Sequence, residues 1–213
     1  MKLYSYFRSS ASFRVRIALN MKGLPYDYVP VHLVKQEQFA PDYRKLSPEA
    51  LVPTLVDDAG HSIGQSLAIL EWLEETHPEP PLLPRTPLDR AWVRSLALLV
   101  ACDIHPLNNS RVLNFLVKDL GLSEAQKLAW YRHWIETGFA ALEQRLAGDA
   151  RTGAFCFGDA PTLADAALVP QVFNARRFDI DVTRYPTLTR IDAHAMQHPA
   201  FIAAAPQQQP DAD

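Results

Sequence analysis

The chain has 213 residues, of which 48% are hydrophobic and 21% charged, with a formal net charge of −3. That balance is globular. It excludes a disordered, collagen-like or coiled-coil chain, and with it any general attraction to nucleic acid or anionic membrane. The length suits a small domain joined to a second one. Two cysteines, Cys102 and Cys156, are too few for a disulfide framework and lack metal-ligand spacing, so both read as reduced core thiols. Arg8 interrupts any apolar signal-peptide core, and the longest apolar run, near 96–102, is far below spanning length. A soluble, cytoplasmic protein that spans no membrane is the expectation.

Residues 2–7 alternate aromatic and apolar side chains and predict a strand. Ser9, Ser10 and Ser12 form an N-cap cluster ahead of a helix over 13–22, with Ala11, Val15, Ala18 and Leu19 on one face. Gly23 and Pro25 stop it. A second strand follows over 26–33, then a weaker helix over 36–46. Residues 51–56 predict a strand that carries Pro53 near its start, and 61–63 a short partner. Ser66 is expected to cap a helix over 67–77. Pro78, Pro80, Pro81, Pro84 and Pro87 fall within ten residues, a density no helix or strand survives, and the domain boundary is placed there. Everything beyond reads helical: 89–120 with a kink at Pro106, then 123–146, 162–178 and 186–198. The Gln/Pro tail from Pro206 is expected to fray.

A β-α-β, α, β-β-α block followed by helices is a narrow architecture. The run Arg8-Ser9-Ser10-Ala11-Ser12-Phe13-Arg14-Val15-Arg16-Ile17-Ala18-Leu19 resembles the signature of zeta-class glutathione S-transferases, the group that includes maleylacetoacetate and maleylpyruvate isomerases. Val52-Pro53-Thr54-Leu55, Gln65-Ser66-Leu67-Ala68-Ile69 and Leu163-Ala164-Asp165 resemble the wider transferase family. Leu168-Val169-Pro170-Gln171 and Ala175-Arg176-Arg177-Phe178 are similar to zeta-class segments. The resemblance runs from Lys2 to about Pro206. It implies an α/β thioredoxin-like domain over 1–79 that binds glutathione, an all-α substrate-binding domain over 88–213, and a homodimer formed through the helices after Ser66 and Asp89.

The resemblance also implies roles. A helix N-terminus carries free N–H groups and partial positive charge, and such sites lower a thiol's pKa. Ser9 then contacts the glutathione sulfur, with Ser10 as the fallback and Tyr4 and Tyr6 as rival donors read as strand residues. Plain helix capping is the alternative for all three serines. Val52, ahead of an implied cis Pro53, offers its backbone to the cysteinyl part. Gln65 and Ser66 take the γ-glutamyl end, and Gln38 is a weaker candidate for the glycyl carboxylate. Arg8, Arg111 and Arg177 are the candidates for substrate carboxylates, since guanidinium matches carboxylate in bidentate fashion; a surface ion pair is the alternative for each, and Arg176 is the neighbour read as solvent-facing. Arg8 is also grouped with the catalytic serines. His105 and Asn109 are candidates for contacts to glutathione or substrate, with cap or core roles as alternatives. Thr162 and Asp165 have the spacing of a capping box and read as structural.

The activity so implied is glutathione-dependent cis–trans isomerisation of maleylacetoacetate to its fumaryl isomer, in tyrosine and aromatic-compound catabolism. Maleylpyruvate is the second substrate. A transferase or dehalogenase acting on α-halo acids, and a non-catalytic glutathione-fold binder, remain open. Ala11 stands where many zeta enzymes carry cysteine, which argues against reductive dehalogenation. No Walker motif, dinucleotide glycine fingerprint, basic stripe or metal motif competes.

Overall fold

The structure, a computed structural model, describes residues 1–212. Its first unit starts with β1 (Lys2–Ser5), α1 (Ser10–Met21) and β2 (Asp27–Pro30), with β1 and β2 parallel and paired Lys2 to Asp27 through Ser5 to Pro30. A helical turn at Glu37–Phe39 and α2 (Pro41–Leu46) lead to β3 (Thr54–Val56), β4 (Ser62–Gly64) and α3 (Ser66–Thr76). Strand order is β2-β1-β3-β4, and the β1/β3 and β3/β4 pairs are antiparallel.

Alternation along β1 sorts the helices between the two faces. Leu3 and Ser5 are fully buried, and Ser5 Oγ accepts a hydrogen bond from Arg16 of α1 at 3.1 Å. Tyr4 points the other way and packs on Tyr43 of α2, ring centroids 5.7 Å apart. So α1, with α3 beside it, covers one face and α2 the other.

The signals at the two ends of α1 act where the sequence places them. Ser9 Oγ accepts from the Ser12 N–H at 3.2 Å. Gly23 adopts φ +62°, the left-handed conformation a helix stop requires, and Leu24 N–H returns to the Leu19 carbonyl at 3.0 Å.

The molecule departs from the sequence reading after the prolines. Contacts divide the chain into Met1–Leu83 plus the segment from Met196 onward, and Pro84–Ala195. The reading that gives all of 88–213 to the helical domain assigns α9 (Pro199–Ala204) and the tail elsewhere than the structure does. The physical reason lies on α1. This helix is buried almost all round, because α9 packs against the side that α3 leaves open. Over its described residues, 206–212, the tail is fastened, against the expectation that it frays: Gln209 is buried and its Nε2 donates to the carbonyls of Ala203 and Ala205, both at 2.9 Å; Asp213 lies outside the described residues. The proline segment is no free linker either. Leu82 and Leu83 are buried, and their N–H groups donate to the Glu74 carboxylate.

The second unit contains α4 (Pro87–Leu98), α5 (Ser110–Lys118), α6 (Glu124–Ala147), α7 (Leu163–Arg177) and α8 (Pro186–Ala195). Instead of one long helix kinked at Pro106, the chain passes from α4 through a π-helical segment, Leu99–Ile104, and a tight turn, Pro106–Asn108, before α5 restarts. The wide segment fits against α6 at Gly138, where any Cβ would lie 2.3 Å from Ile104. Cys102 on that segment is exposed, contrary to its reading as a core thiol, while Cys156 is buried. Asp165 accepts from Thr162 N–H (2.7 Å), Thr162 Oγ1–H (2.8 Å) and Cys156 N–H (2.8 Å), so the capping box also fastens the loop before α7. Burial pushes the Asp165 carboxyl up despite those three donors. Among the described residues, no helix is long and apolar enough to cross a membrane.

Candidate active site

The first unit brings the candidate thiol site together at the head of α1. The turn Tyr6–Ser9 closes on a Ser9 N–H to Tyr6 carbonyl bond of 2.9 Å. Ser9 is half-buried in the N-cap position, and Ser10, the first helical residue, is buried. Because Ser9 Oγ accepts from the Ser12 N–H, its hydroxyl hydrogen is the part of that group left to donate outward. Capping and thiol contact are therefore compatible functions of one side chain. Arg8 is exposed, with its guanidinium 4.7 Å from the centre of the Phe7 ring. Tyr4 is committed to packing on Tyr43, and Tyr6 is buried.

The second piece is the loop before β3. The Val52–Pro53 peptide bond is cis, as the resemblance implies. The Leu51 carbonyl ahead of it is gripped by the hydroxyls of Tyr43 and Ser47, so this part of the chain is held from α2 and its end. Pro53 is buried and Val52 half-buried.

The third piece is the start of α3, where one expectation needs correcting. Ser66 does not cap the helix; it is the first helical residue, and Gln65 holds the cap position without a side-chain bond. Gln65 adopts φ +64°, ψ 112°, a conformation few non-glycine residues take. It costs about 1–3 kcal/mol and is most often found where structure serves a site. Ser66 is free of capping because it has a partner the sequence did not suggest. Buried Arg14 of α1 donates from Nη1 to Ser66 Oγ at 3.2 Å. That leaves the Ser66 hydroxyl hydrogen to point away from Arg14 and places a buried positive charge behind it. A helix start with a charge-backed hydroxyl suits a carboxylate. Gln38 is half-buried in the Glu37–Phe39 turn, and its Oε1 is buried without a hydrogen-bond partner among the described residues.

Arg16 is the other buried arginine of α1. It is fully buried, and it donates to Ser5 Oγ and to the carbonyls of Tyr6 (3.4 Å), Phe7 (3.0 Å) and Ala204 (2.9 Å). Burial lowers its pKa to about 10, which still leaves it charged at neutral pH. Arg14 and Arg16 flank Val15 in α1, and both are buried. Carbonyls and hydroxyls supplied from β1, the turn after it, α3 and α9 replace the water these two guanidinium groups lose.

The second unit holds the other candidates. His105 ends the π-helical segment with its N–H on the Val100 carbonyl at 2.9 Å. Asn109 caps α5, accepting from the Arg111 N–H at 3.0 Å, and Arg111 is exposed one residue into that helix. Asn108, buried in the turn between them, donates to the Tyr131 carbonyl at 3.1 Å. Tyr131 stacks on Phe178 at 3.9 Å, and Arg177 lies 5.1 Å over the Phe178 ring. This chain of contacts links the turn at Asn108 through Tyr131 to Phe178 and Arg177. There Arg177, Arg132, Tyr131 and Phe178 help line a cavity of about 200 Å³. Arg176 is instead committed to Asp192, a carboxyl nearly out of solvent. A larger hollow of about 480 Å³ in the first unit, bordered by Met1, Tyr26 and His77, contains none of the candidate residues.

A four-stranded mixed sheet with a serine at the first helix head, a cis proline before β3 and an anion-ready start to α3 defines a thioredoxin-like thiol-binding unit. Residues 3–81 match the family model of the glutathione S-transferase N-terminal domain and residues 129–201 that of the C-terminal domain. The chain belongs to the glutathione S-transferase family, in its zeta class. It is 51% identical over 211 residues to a maleylpyruvate isomerase of Ralstonia, covering 99% of both chains. A solved zeta-class maleylpyruvate isomerase in its holo form is 50% identical with a TM-score of 0.97, each chain covered fully. The maleylacetoacetate isomerase of Methylobacterium extorquens AM1, solved with malonate and glutathione bound, is 44% identical with a TM-score of 0.97, again over the whole of both chains.

Proposed function

We propose that this protein is a glutathione-dependent isomerase that converts a maleyl keto acid, maleylacetoacetate first and maleylpyruvate second, to the fumaryl form. The observation that carries the reading is the Ser9 hydroxyl, fixed as an acceptor by the helix it caps and so left to donate, in a chain similar over its full length to enzymes of that name. The donor set suits glutathione. Ser9 and the head of α1 take the sulfur, Val52 beside cis Pro53 the cysteinyl backbone, and Gln65 with Ser66 the γ-glutamyl carboxylate; Gln38 is the candidate for the glycyl end. When bound, glutathione supplies a sulfur nucleophile that adds reversibly to the cis double bond and is recovered unchanged. The protein's part is to keep that sulfur ionised, through a hydroxyl donor and a helix N-terminus, and to orient the two carboxylates. Arg8, Arg111 and Arg177 are assigned to the carboxylates, and His105 and Asn109 support the stretch that carries Arg111. Residues 1–79 serve glutathione, with Arg8 turned to the substrate, and the helical unit serves the substrate. A cytoplasmic homodimer completes the reading, with α3 and α4 as the dimer helices.

The test is an absorbance assay with maleylacetoacetate and with maleylpyruvate, each with and without glutathione. Turnover with either acid that needs glutathione and leaves its concentration constant is the expected result. Stoichiometric loss of glutathione would instead establish a transferase. Ala11 cannot form a mixed disulfide, so reductive dehalogenation is not expected.

The two neighbouring arginines should separate cleanly. Arg177→Ala removes a charge-assisted pair worth about 1.5–3 kcal/mol, so KM for the keto acid should rise roughly 10- to 100-fold. Arg176→Ala should leave KM alone and lower the melting temperature, because it strips the partner from Asp192, whose carboxyl burial already pushes up. Steady-state kinetics and thermal unfolding of both variants check this, and the reverse pattern would exchange the two assignments.

A further inference from the structure

The carboxy-terminal tail reaches the turn that carries Ser9. Within the turn Tyr6–Ser9, the Phe7 N–H donates to Asp211 Oδ2 at 3.1 Å. The Phe7 and Tyr6 carbonyls accept from Arg16. The other Asp211 oxygen accepts from the Tyr28 hydroxyl on β2 at 2.6 Å, which sets the orientation of the carboxylate. Arg16 closes the circuit, since its Nε donates to Ala204 just ahead of the tail, and Gln209 locks the tail to Ala203 and Ala205. Two oppositely charged side chains, one from α1 and one from the tail, thus hold the main chain two residues before the serine.

We propose that Asp211 is a positioning residue for Ser9, holding through the Phe7 amide the turn that aims the serine hydroxyl at the bound thiol. Asp211 acts through the turn and touches no substrate. The reason to spend a carboxylate there is geometric. A hydrogen bond to a charged acceptor is about twice as strong as a neutral one, and an ångström of misplacement at a reacting group can cost about 100-fold. The proposal rests on the glutathione reading above, and its test keeps the two separable.

The variants are Asp211→Ala, Asp211→Asn and Tyr28→Phe in the full chain. Hydrogen–deuterium exchange over residues 6–10 is read in the protein without glutathione. The thiol of added glutathione is titrated by its ultraviolet absorbance, and kcat and KM for the keto acid are measured. Asp211→Ala is expected to speed exchange in the turn about tenfold, which reports easier local opening. It should also raise the thiol's titration midpoint and lower kcat about tenfold with KM unmoved, as loss of alignment rather than of binding requires. Asp211→Asn keeps a neutral acceptor and should fall between; Tyr28→Phe should move the same readouts in the same direction by less. If the alanine variant does not fold, these two decide the matter. Unchanged exchange in the turn overturns the proposal. So does faster exchange with thiol titration and kcat intact, which would make the tail a mere fastening. A wild-type protein that ionises no thiol would defeat the glutathione reading instead, and the exchange measurement would still show whether Asp211 holds the turn.

Discussion

Ser9→Ala is expected to cut isomerase turnover at neutral pH by about 10- to 100-fold, the loss that one hydrogen bond to a charged group implies at about 1.5–3 kcal/mol. The bound thiol should titrate about one to two pH units higher than in the wild type. The sign follows from what the hydroxyl does. It donates to the thiolate and not to the thiol, so its removal favours the protonated form, and activity lost at neutral pH returns as pH rises through the new midpoint. Ser9 also caps α1 through the Ser12 N–H, and losing the cap costs about 1 kcal/mol of stability. Ser9→Gly separates the two effects, because glycine at an N-cap costs only a few tenths of a kcal/mol while lacking the hydroxyl. It should melt near the wild type and be as slow as the alanine variant. Ser10→Ala should leave the titration in place, since Ser10 is buried in the first helical position. Equal turnover in Ser9→Ala and Ser10→Ala would remove Ser9 from the mechanism.

The largest stability effect should come from Glu74→Ala. Lys22 Nζ, wholly out of solvent, donates to Glu74 Oε2 at 3.0 Å and to the carbonyls of His77 (2.6 Å) and Pro80 (2.9 Å). Glu74 in turn accepts from the amides of Leu82 (2.8 Å) and Leu83 (3.2 Å). Removing the carboxylate leaves a buried ammonium without its counter-charge, a loss of about 3–5 kcal/mol. For a chain of this size that lowers the melting temperature by of order 10 °C. Glu74→Gln keeps an acceptor for one amide and should lose less. The double variant Lys22→Met, Glu74→Leu removes both charges and should recover part of the loss, though not all, because the Leu82 and Leu83 amides remain without an acceptor. Thermal and denaturant unfolding of the three proteins measures this. A cost below about 1 kcal/mol for Glu74→Ala would show the pair to be hydrated and no stronger than a surface ion pair.

Much of the thiol site was legible along the chain because it is built from helix ends and turns, which short-range chemistry controls. Ser9 before an apolar-periodic stretch, Gly23 after it, and Thr162 with Asp165 at the start of α7 each announce a backbone hydrogen bond within a few residues. Family resemblance added cis Pro53 and the pairing of Gln65 with Ser66, which no local rule supplies. The reading failed where a residue's fate depends on a partner far along the chain. Ser66 looked like a cap and is held by Arg14, 52 positions away. The segment after Pro206 looked like a frayed end and is fixed by Gln209 and Asp211.

The alternation of strands and helices in the first unit and the boundary near the prolines are thus legible in the sequence itself, through turn and capping signals whose partners lie close together. Tertiary structure alone decided that Arg14 and Arg16 are buried, that the tail returns to the first unit, and that Arg176 is spent on Asp192 while Arg177 lines a cavity. A charged side chain goes inside only where distant segments supply enough acceptors to replace water, and the chain reveals that supply only once it is folded.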